Sequence, residues 1–149
     1  MKILIIGDSH GNIANLKHVM GFGKKIGVKA VIHTGDWNTL YSVEVVESYK
    51  ILLYSVLGNA DIDPAFKKRF KENLEIVIDG RKIYLIHKFL KSDKNYLGKD
   101  IVFSGHYHSQ YESDLSEVKI VRPGALESTI NFAVYDTSND EVKLINEQI

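Results

Sequence analysis

The 149-residue chain contains no cysteine, and this absence narrows the chemistry open to it. Without thiols there are no disulfides, no cysteine nucleophile and no thiolate ligand, so any metal must be held by imidazole, carboxylate or amide groups. The sequence also lacks an excess of either charge, because 19 basic residues balance 19 acidic residues. Proteins that bind nucleic acid or anionic membranes usually carry net positive charge, so we expect neither as a partner.

Long apolar runs are absent as well. The N-terminal run extends only from Ile3 to Ile6, too short for a secretory signal, and no later run approaches the roughly 20 residues of a membrane span. We therefore expect a soluble, cytoplasmic protein. The usual size of domains predicts one domain over residues 1–149, and a hydrophobic content of 44% is enough for a core. The sequence leaves a homodimer open.

The sequence does contain a recurring pattern, in which a short apolar run ends at a glycine followed by a side chain that can bind metal. The four pairs are Gly7-Asp8, Gly35-Asp36, Gly58-Asn59 and Gly105-His106. The carboxyl ends of parallel strands share one edge of an open α/β sheet, so we expect these side chains to meet there.

Hydrophobic periodicity predicts crossovers in the first half of the chain and hairpins in the second. Asn12 and Gly27 are the expected ends of the first helix, and Asp79-Gly80 favours a tight hairpin turn. This order predicts an α/β fold, a sandwich of two mixed sheets with helices outside. Helices are also predicted within 37–50, from Asp63 and within 88–99, and strands over 3–6, 30–34, 51–57, 74–78, 81–87, 101–104, 118–121, 129–135 and 142–145.

Seven side chains at or near the ends of the predicted strands offer nitrogen or oxygen donors. A single divalent ion rarely takes seven protein ligands, whereas two ions about 4 Å apart that share a carboxylate would use all of them. The central Asp36 is the expected bridge. In extended segments, Asp8 with His10 and His106 with His108 would each face one side. The donors are Asp8, His10, Asp36, Asn59, His87, His106 and His108.

The order of these motifs resembles that of the calcineurin-like metallophosphoesterases, in particular their small archaeal and bacterial phosphodiesterases. The motifs are Asp8-Ser9-His10, Gly35-Asp36, Gly58-Asn59-Ala60-Asp61, a strand-terminal His87 and Gly105-His106-Tyr107-His108. The resemblance implies a four-layer α/β/β/α sandwich that hydrolyses small phosphodiesters through a hydroxide bridging two divalent ions of manganese, nickel, iron or zinc.

The resemblance also assigns the ligands and the residues that act on substrate. Asp36 would bridge the ions and, with Asn59, take part in catalysis. Asn59 is also expected to bind substrate, and Lys88, although it departs from the family pattern, is the second candidate for substrate binding. The first ion would be bound by Asp8, His10, Asp36 and His108, and the second by Asp36, Asn59, His87 and His106.

Two positions depart from the family pattern. Ala60 stands where many members have a histidine that orients the substrate or protonates the leaving oxygen. This change predicts slow turnover and leaves Asp61 a supporting or loop-capping role. Lys88 replaces a common glycine and either adds a cation beside the phosphate or points outward. The alternative function is a scaffold with little or no activity, like the retromer subunit of this fold, and a nuclease is a third. His18 and His33 belong to no motif and are expected to be structural, while Trp37 is expected either in the core or beside the site.

Overall fold

The structure, a computed structural model, describes residues 1–147. Strands and helices alternate at the start of the chain, and hairpins follow, as predicted. The strands are β1 (Lys2–Ile6), β2 (Ala30–His33), β3 (Leu52–Ser55), β4 (Asn73–Ile78), β5 (Arg81–Ile86), β6 (Ile101–Phe103), β7 (Gln110–Leu115), β8 (Val118–Pro123), β9 (Ile130–Asp136) and β10 (Glu141–Glu147). The helices are α1 (Ile13–Ile26), α2 (Leu40–Glu47) and α3 (Pro64–Arg69), with one 3₁₀ turn (Lys94–Tyr96).

The strands form two mixed sheets of five strands each. The first sheet has the order β10-β9-β1-β2-β3, and the second has the order β4-β5-β6-β8-β7. In the first sheet β1, β2 and β3 are parallel, and the register pairs Ile6 with His33 and His33 with Ser55. These strands therefore end side by side, and the loops that follow them share one edge of the sheet.

The sheets pack face to face, and helices cover the outside of the first. Along β1, Ile3 and Ile5 belong to the core between the sheets. Leu4 and Ile6 lie in the cluster formed with α1 and α2. All four are fully buried, so the first strand is apolar on both faces, as a sheet covered on both sides requires.

The outer face of the second sheet is covered by the chain between β5 and β6. Tyr84 and Val102 on the sheet pack with Tyr96 of the 3₁₀ turn, and Phe89 lies against them. Together the layers form the predicted four-layer α/β/β/α sandwich, although the last layer contains only one short helical turn among the described residues.

The first helix begins and ends where predicted. The side chain of Asn12 accepts a hydrogen bond from the backbone N–H of Asn15, and Gly27 ends the helix with a φ of 80°. Its buried face includes Leu16, Val19 and Met20. Among residues 1–147, no helix is long and apolar enough to cross a membrane.

One strand was not predicted, whereas the second helix lies within its predicted range. β7 has a polar sequence at the edge of the second sheet, and it pairs with β8 through a hairpin. In that turn Ser116 and Glu117 adopt φ values of 50° and 66°, the geometry of a tight hairpin without the glycine that usually indicates it. α2 starts only at Leu40, because Thr39 caps it.

Candidate metal centre

The predicted donors lie together where parallel strands of the two sheets end. In the first sheet, Asp8 and His10 follow β1, Asp36 follows β2 and Asn59 follows β3. In the second sheet, His87 follows β5, whereas His106 and His108 follow β6. The site is thus assembled across the two sheets from loops that are far apart in sequence.

Four of these residues form a compact group. Ligand atoms of Asp8, His10, Asp36 and His108 all lie within 4.8 Å of one another. Nε2 of His10 is 3.3 Å from Nε2 of His108 and 3.4 Å from Oδ2 of Asp36. Nε2 of His108 is 3.8 Å from Oδ1 of Asp8. The group is a candidate site for one metal ion.

The other three residues form a second group that shares Asp36. Nε2 of His87 lies 3.0 Å from Oδ1 of Asn59 and 3.3 Å from Oδ2 of Asp36. Nδ1 of His106 is 3.2 Å from the same Asn59 oxygen. Oδ2 of Asp36 therefore faces imidazole nitrogens of both groups.

The Nδ1 contacts of two histidines are those expected of metal ligands. Nδ1 of His87 lies 2.9 Å from the carbonyl oxygen of Thr34, and Nδ1 of His10 lies 3.1 Å from Oδ1 of Asn38. Both oxygens are acceptors, so each Nδ1 carries the donated proton. A neutral ring can then present the lone pair of Nε2 to a metal ion beside Asp36, which is how metal-binding histidines are usually oriented.

The electrostatics of the site favour added positive charge. Burial raises the pKa of Asp8 to about 6, against the opposing effect of His87 and His108. Burial alone would also raise the pKa of Asp36, but hydrogen bonds from His87 and from the backbone N–H of Ala60 lower it overall. Asp36 in turn raises the pKa of His87 although burial opposes the charge on this imidazole. A divalent cation between these groups would supply the charge that the buried carboxylates lack.

The backbone brings the donors together in a way that differs from the prediction. Asp8, His10, Asp36, His106 and His108 all have positive φ, between 42° and 78°. The segments are therefore not extended. The prediction assumed extended backbone, in which alternate residues share one side, and that assumption is wrong. His106 contacts the second group whereas His108 contacts the first, and both adopt left-handed φ rather than extended backbone.

Close approach of two loops requires glycine at position 58. A Cβ there would lie 2.1 Å from Oδ1 of Asp36 and 2.2 Å from its backbone nitrogen. This contact brings the loop after β3 against the loop after β2. The glycine of the Gly58-Asn59 pair therefore permits the juxtaposition of Asn59 and Asp36.

Asp61 ties the same two loops together. Its buried carboxylate accepts four backbone hydrogen bonds. Oδ2 accepts from Asp36 at 3.0 Å and from Gly58 at 2.8 Å, whereas Oδ1 accepts from Trp37 at 2.6 Å and from Asn38 at 3.0 Å. The loop-capping contacts predicted for Asp61 are present, and they span both loops rather than one.

His33 and Trp37 lie in the core behind the site. His33 is fully buried, and its ring stacks on Trp37 with centroids 3.6 Å apart. Nδ1 of His33 accepts from the backbone N–H of Gly35 at 3.0 Å, and its Nε2 lies 2.9 Å from Oγ of Ser9. Trp37 donates from its indole nitrogen to Ser55. The structural role expected for His33 is confirmed, as is the core alternative for Trp37.

Some contacts of the site were not predicted. Asn38 contacts His10, and Oε2 of Glu127 lies 3.5 Å from Nδ1 of His108. Neither residue belongs to a motif, and their proximity depends on loop paths that sequence spacing does not reveal. Lys88 is exposed and lines a cavity together with His87.

Strands of two packed sheets that deliver carboxylates, imidazoles and an amide to one edge define a metallophosphoesterase fold. A model of the calcineurin-like phosphoesterase superfamily domain matches residues 1–140. The chain therefore belongs to this superfamily, which confirms the resemblance seen in the motifs. Membership implies phosphoester hydrolysis and divalent metals at the level of the family.

Individual relatives agree with this assignment. Phosphodiesterase MJ0936 of Methanocaldococcus jannaschii is 24% identical over 163 aligned positions, covering 97% of this chain and 98% of the relative. A solved archaeal phosphodiesterase superposes with a TM-score of 0.88 at 22% identity, covering 99% of this chain and 100% of the other. Vps29 of Entamoeba histolytica, solved in complex with zinc, has a TM-score of 0.71 at 17% identity, covering 99% and 98%. The solved structures establish the fold.

Proposed function

We propose that the chain is a phosphodiesterase that uses two divalent ions to hydrolyse small phosphodiesters. The observation that carries this proposal is the position of Asp36. Its Oδ2 lies within 3.4 Å of Nε2 of His10 and 3.3 Å of Nε2 of His87. Its Oδ1 is held by the backbone N–H of Ala60 at 2.8 Å. One oxygen is thus anchored while the other faces both groups of donors, the arrangement of a carboxylate that bridges through a single oxygen.

The donor set suits transition ions that accept nitrogen and oxygen ligands, namely manganese, nickel, iron or zinc. When bound, two such ions would provide a bridging hydroxide as nucleophile and would polarise the phosphoryl oxygens. The first ion would be held by Asp8, His10, Asp36 and His108, and the second by Asp36, Asn59, His87 and His106.

Other roles follow from the chemistry of the side chains. Oδ1 of Asn59 faces His87 and His106, which leaves its amide N–H₂ to donate to a phosphoryl oxygen. Lys88 follows His87 and lines the same cavity, so it adds a cation on the side of the centre where substrate would bind. Position 60 carries no proton donor, so the leaving oxygen must be protonated by water. We therefore propose an enzyme that favours esters with good leaving groups.

The test is hydrolysis of bis(p-nitrophenyl) phosphate by metal-stripped protein titrated with manganese, nickel, zinc or magnesium. Bound metal is counted by elemental analysis in the same samples. Asp36→Asn should abolish turnover and lower the metal content below two ions per chain. The control is Asp63→Asn, since Asp63 is an exposed helix cap and asparagine caps equally well.

The outcomes separate the two candidate functions. Metal-dependent turnover that disappears in Asp36→Asn but persists in Asp63→Asn supports the phosphodiesterase. Near-native turnover and metal content in Asp36→Asn would refute the bridging assignment. Two ions bound without turnover would instead favour the scaffold, for which the absence of a proton donor at position 60 is the supporting feature.

A further inference from the structure

A cavity of about 680 Å³ opens directly beside the candidate metal centre. Its inner wall includes Asn59, His87 and His106, and its outer wall is built from α3 and the start of β4. The volume lies within the range of typical ligand sites, roughly 300–1,000 Å³. A phosphodiester whose phosphorus lay at the metal centre would place one of its two ester groups in this cavity.

Two cations line the cavity. Lys67 projects from α3, and Lys88 follows β5. Within residues 1–147, the lysine and arginine side chains that form ion pairs are those of Arg69, Lys99 and Lys119. Lys67 and Lys88 are therefore uncompensated by a neighbouring carboxylate at ion-pair distance.

The acidic residues of the cavity offset this charge only in part at the exposed surface. Asp61 is buried and accepts four backbone hydrogen bonds, which leaves Glu72 as the exposed carboxylate of the wall. With two lysines against one exposed carboxylate, the cavity favours an anionic group.

Three apolar side chains also form part of the wall. Leu57, Ile62 and Ile86 line the cavity, and Ile62 is 83% exposed. A ligand that covered this exposed isoleucine would remove its apolar surface from water, which is favourable. The cavity thus combines an apolar surface with two free cations, next to a centre suited to phosphoryl groups.

We propose that this cavity, which we name the ester pocket, binds an ester group that carries both an apolar ring or chain and a second anion. The inference rests on the proposed phosphodiesterase function and narrows its substrate class to esters with a carboxylate or phosphate beyond the scissile phosphate. Lys67 and Lys88 bind that second anion, and Ile62 contacts the apolar part. In the reaction, water breaks one P–O bond, adding its hydroxyl to phosphorus and its proton to the departing oxygen.

The test compares two substrates that differ only in the second anion. Phenyl p-nitrophenyl phosphate and its 4-carboxyphenyl counterpart share the p-nitrophenolate leaving group, so the chemical step stays the same. The metal-loaded protein should favour the carboxylated substrate by about fivefold in kcat/KM, mainly through KM, because exposed charge contacts are each worth only a few-fold. The preference should shrink as salt concentration rises.

Lysine variants test whether the preference for the carboxylated substrate arises in the ester pocket. In Lys67→Gln combined with Lys88→Gln, the ratio of kcat/KM between the two substrates should fall to about one. Lys29→Gln is the matched control, because Lys29 is exposed and lies just before β2, at the opposite end of that strand from the site. A preference that is absent from the unmodified protein, or unchanged in the double variant, overturns the proposal.

Binding measurements test the ester pocket independently of catalysis. Diphenyl phosphate and 4-carboxyphenyl phenyl phosphate have poor leaving groups, and their affinities are measured by calorimetry on the metal-loaded protein. Tighter binding of the carboxylated compound, lost in the double lysine variant, supports the ester pocket even if no substrate is hydrolysed. Equal affinities refute it even if turnover establishes the phosphodiesterase.

Discussion

Asp61 provides the sharpest test of how the site is held together. Each of its carboxylate oxygens accepts two backbone hydrogen bonds, and the residue is 4% exposed. Asp61→Ala would leave four N–H groups of two loops without their acceptor. Each buried donor left unpaired costs about 1–3 kcal/mol, and entering water or loop relaxation recovers part of this. We therefore expect Asp61→Ala to lower the free energy of unfolding by roughly 3–5 kcal/mol.

The Asp61→Asn variant tests whether the loss of stability follows the number of hydrogen bonds removed. An amide keeps one acceptor oxygen, so in either orientation two of the four N–H groups lose their partner and face an N–H₂ group instead. The loss should be about half that of the alanine variant. Urea unfolding of metal-free protein measures both, with Asp63→Asn as the control because its exposed cap is preserved.

The result also bears on metal binding. Asp61 holds the backbone N–H of Asp36 and that of Gly58 through a single oxygen, so its loss should displace Asp36 from Asn59 and weaken metal binding. A loss of less than about 1 kcal/mol in Asp61→Ala, the range of one ordinary hydrogen bond, would refute the clamping role.

The remaining predictions concern catalysis and pH. Ala60→His should raise the rate on alkyl esters, which have poor leaving groups, by up to about 10²-fold and the rate on p-nitrophenyl esters much less; equal gains would contradict a missing proton donor. Burial holds the pKa of His33 well below its usual value, so the unfolded chain takes up a proton below about pH 6.5 that the folded chain does not. The stability linked to His33 is therefore fully present above that pH and falls by up to about 1.4 kcal/mol per pH unit as the pH drops. Asp8 and His87, whose pKa values are raised, take up protons in the folded chain over the same range and oppose this loss. The test is therefore the difference between urea-unfolding profiles measured from pH 7 to pH 5: the unmodified protein should lose stability relative to His33→Gln as the pH falls, and parallel profiles would disprove the linkage.

Local signals in the sequence were sufficient for most of the fold. Asn12 and Gly27 mark the ends of α1 because capping and left-handed φ depend on the residues themselves. Asp79-Gly80 predicts the hairpin between β4 and β5 for the same reason. β7 was missed because it is a polar edge strand and the turn that follows it has no glycine, so neither carries such a signal. Only its pairing with β8 makes it a strand.

The sequence by itself determined which donors the site contains, since strand-end glycines followed by carboxylate, amide and imidazole groups can be recognised from residue type and order. Tertiary structure alone decided the backbone geometry that presents them. His106 and His108 themselves adopt left-handed φ values, so their segment is not the extended strand that the spacing predicts, although each contacts the group that the family resemblance assigns to it. Asp61 binds four N–H groups only because β2 and β3 end side by side. Such contacts depend on loop paths that packing sets, and residue spacing does not encode them.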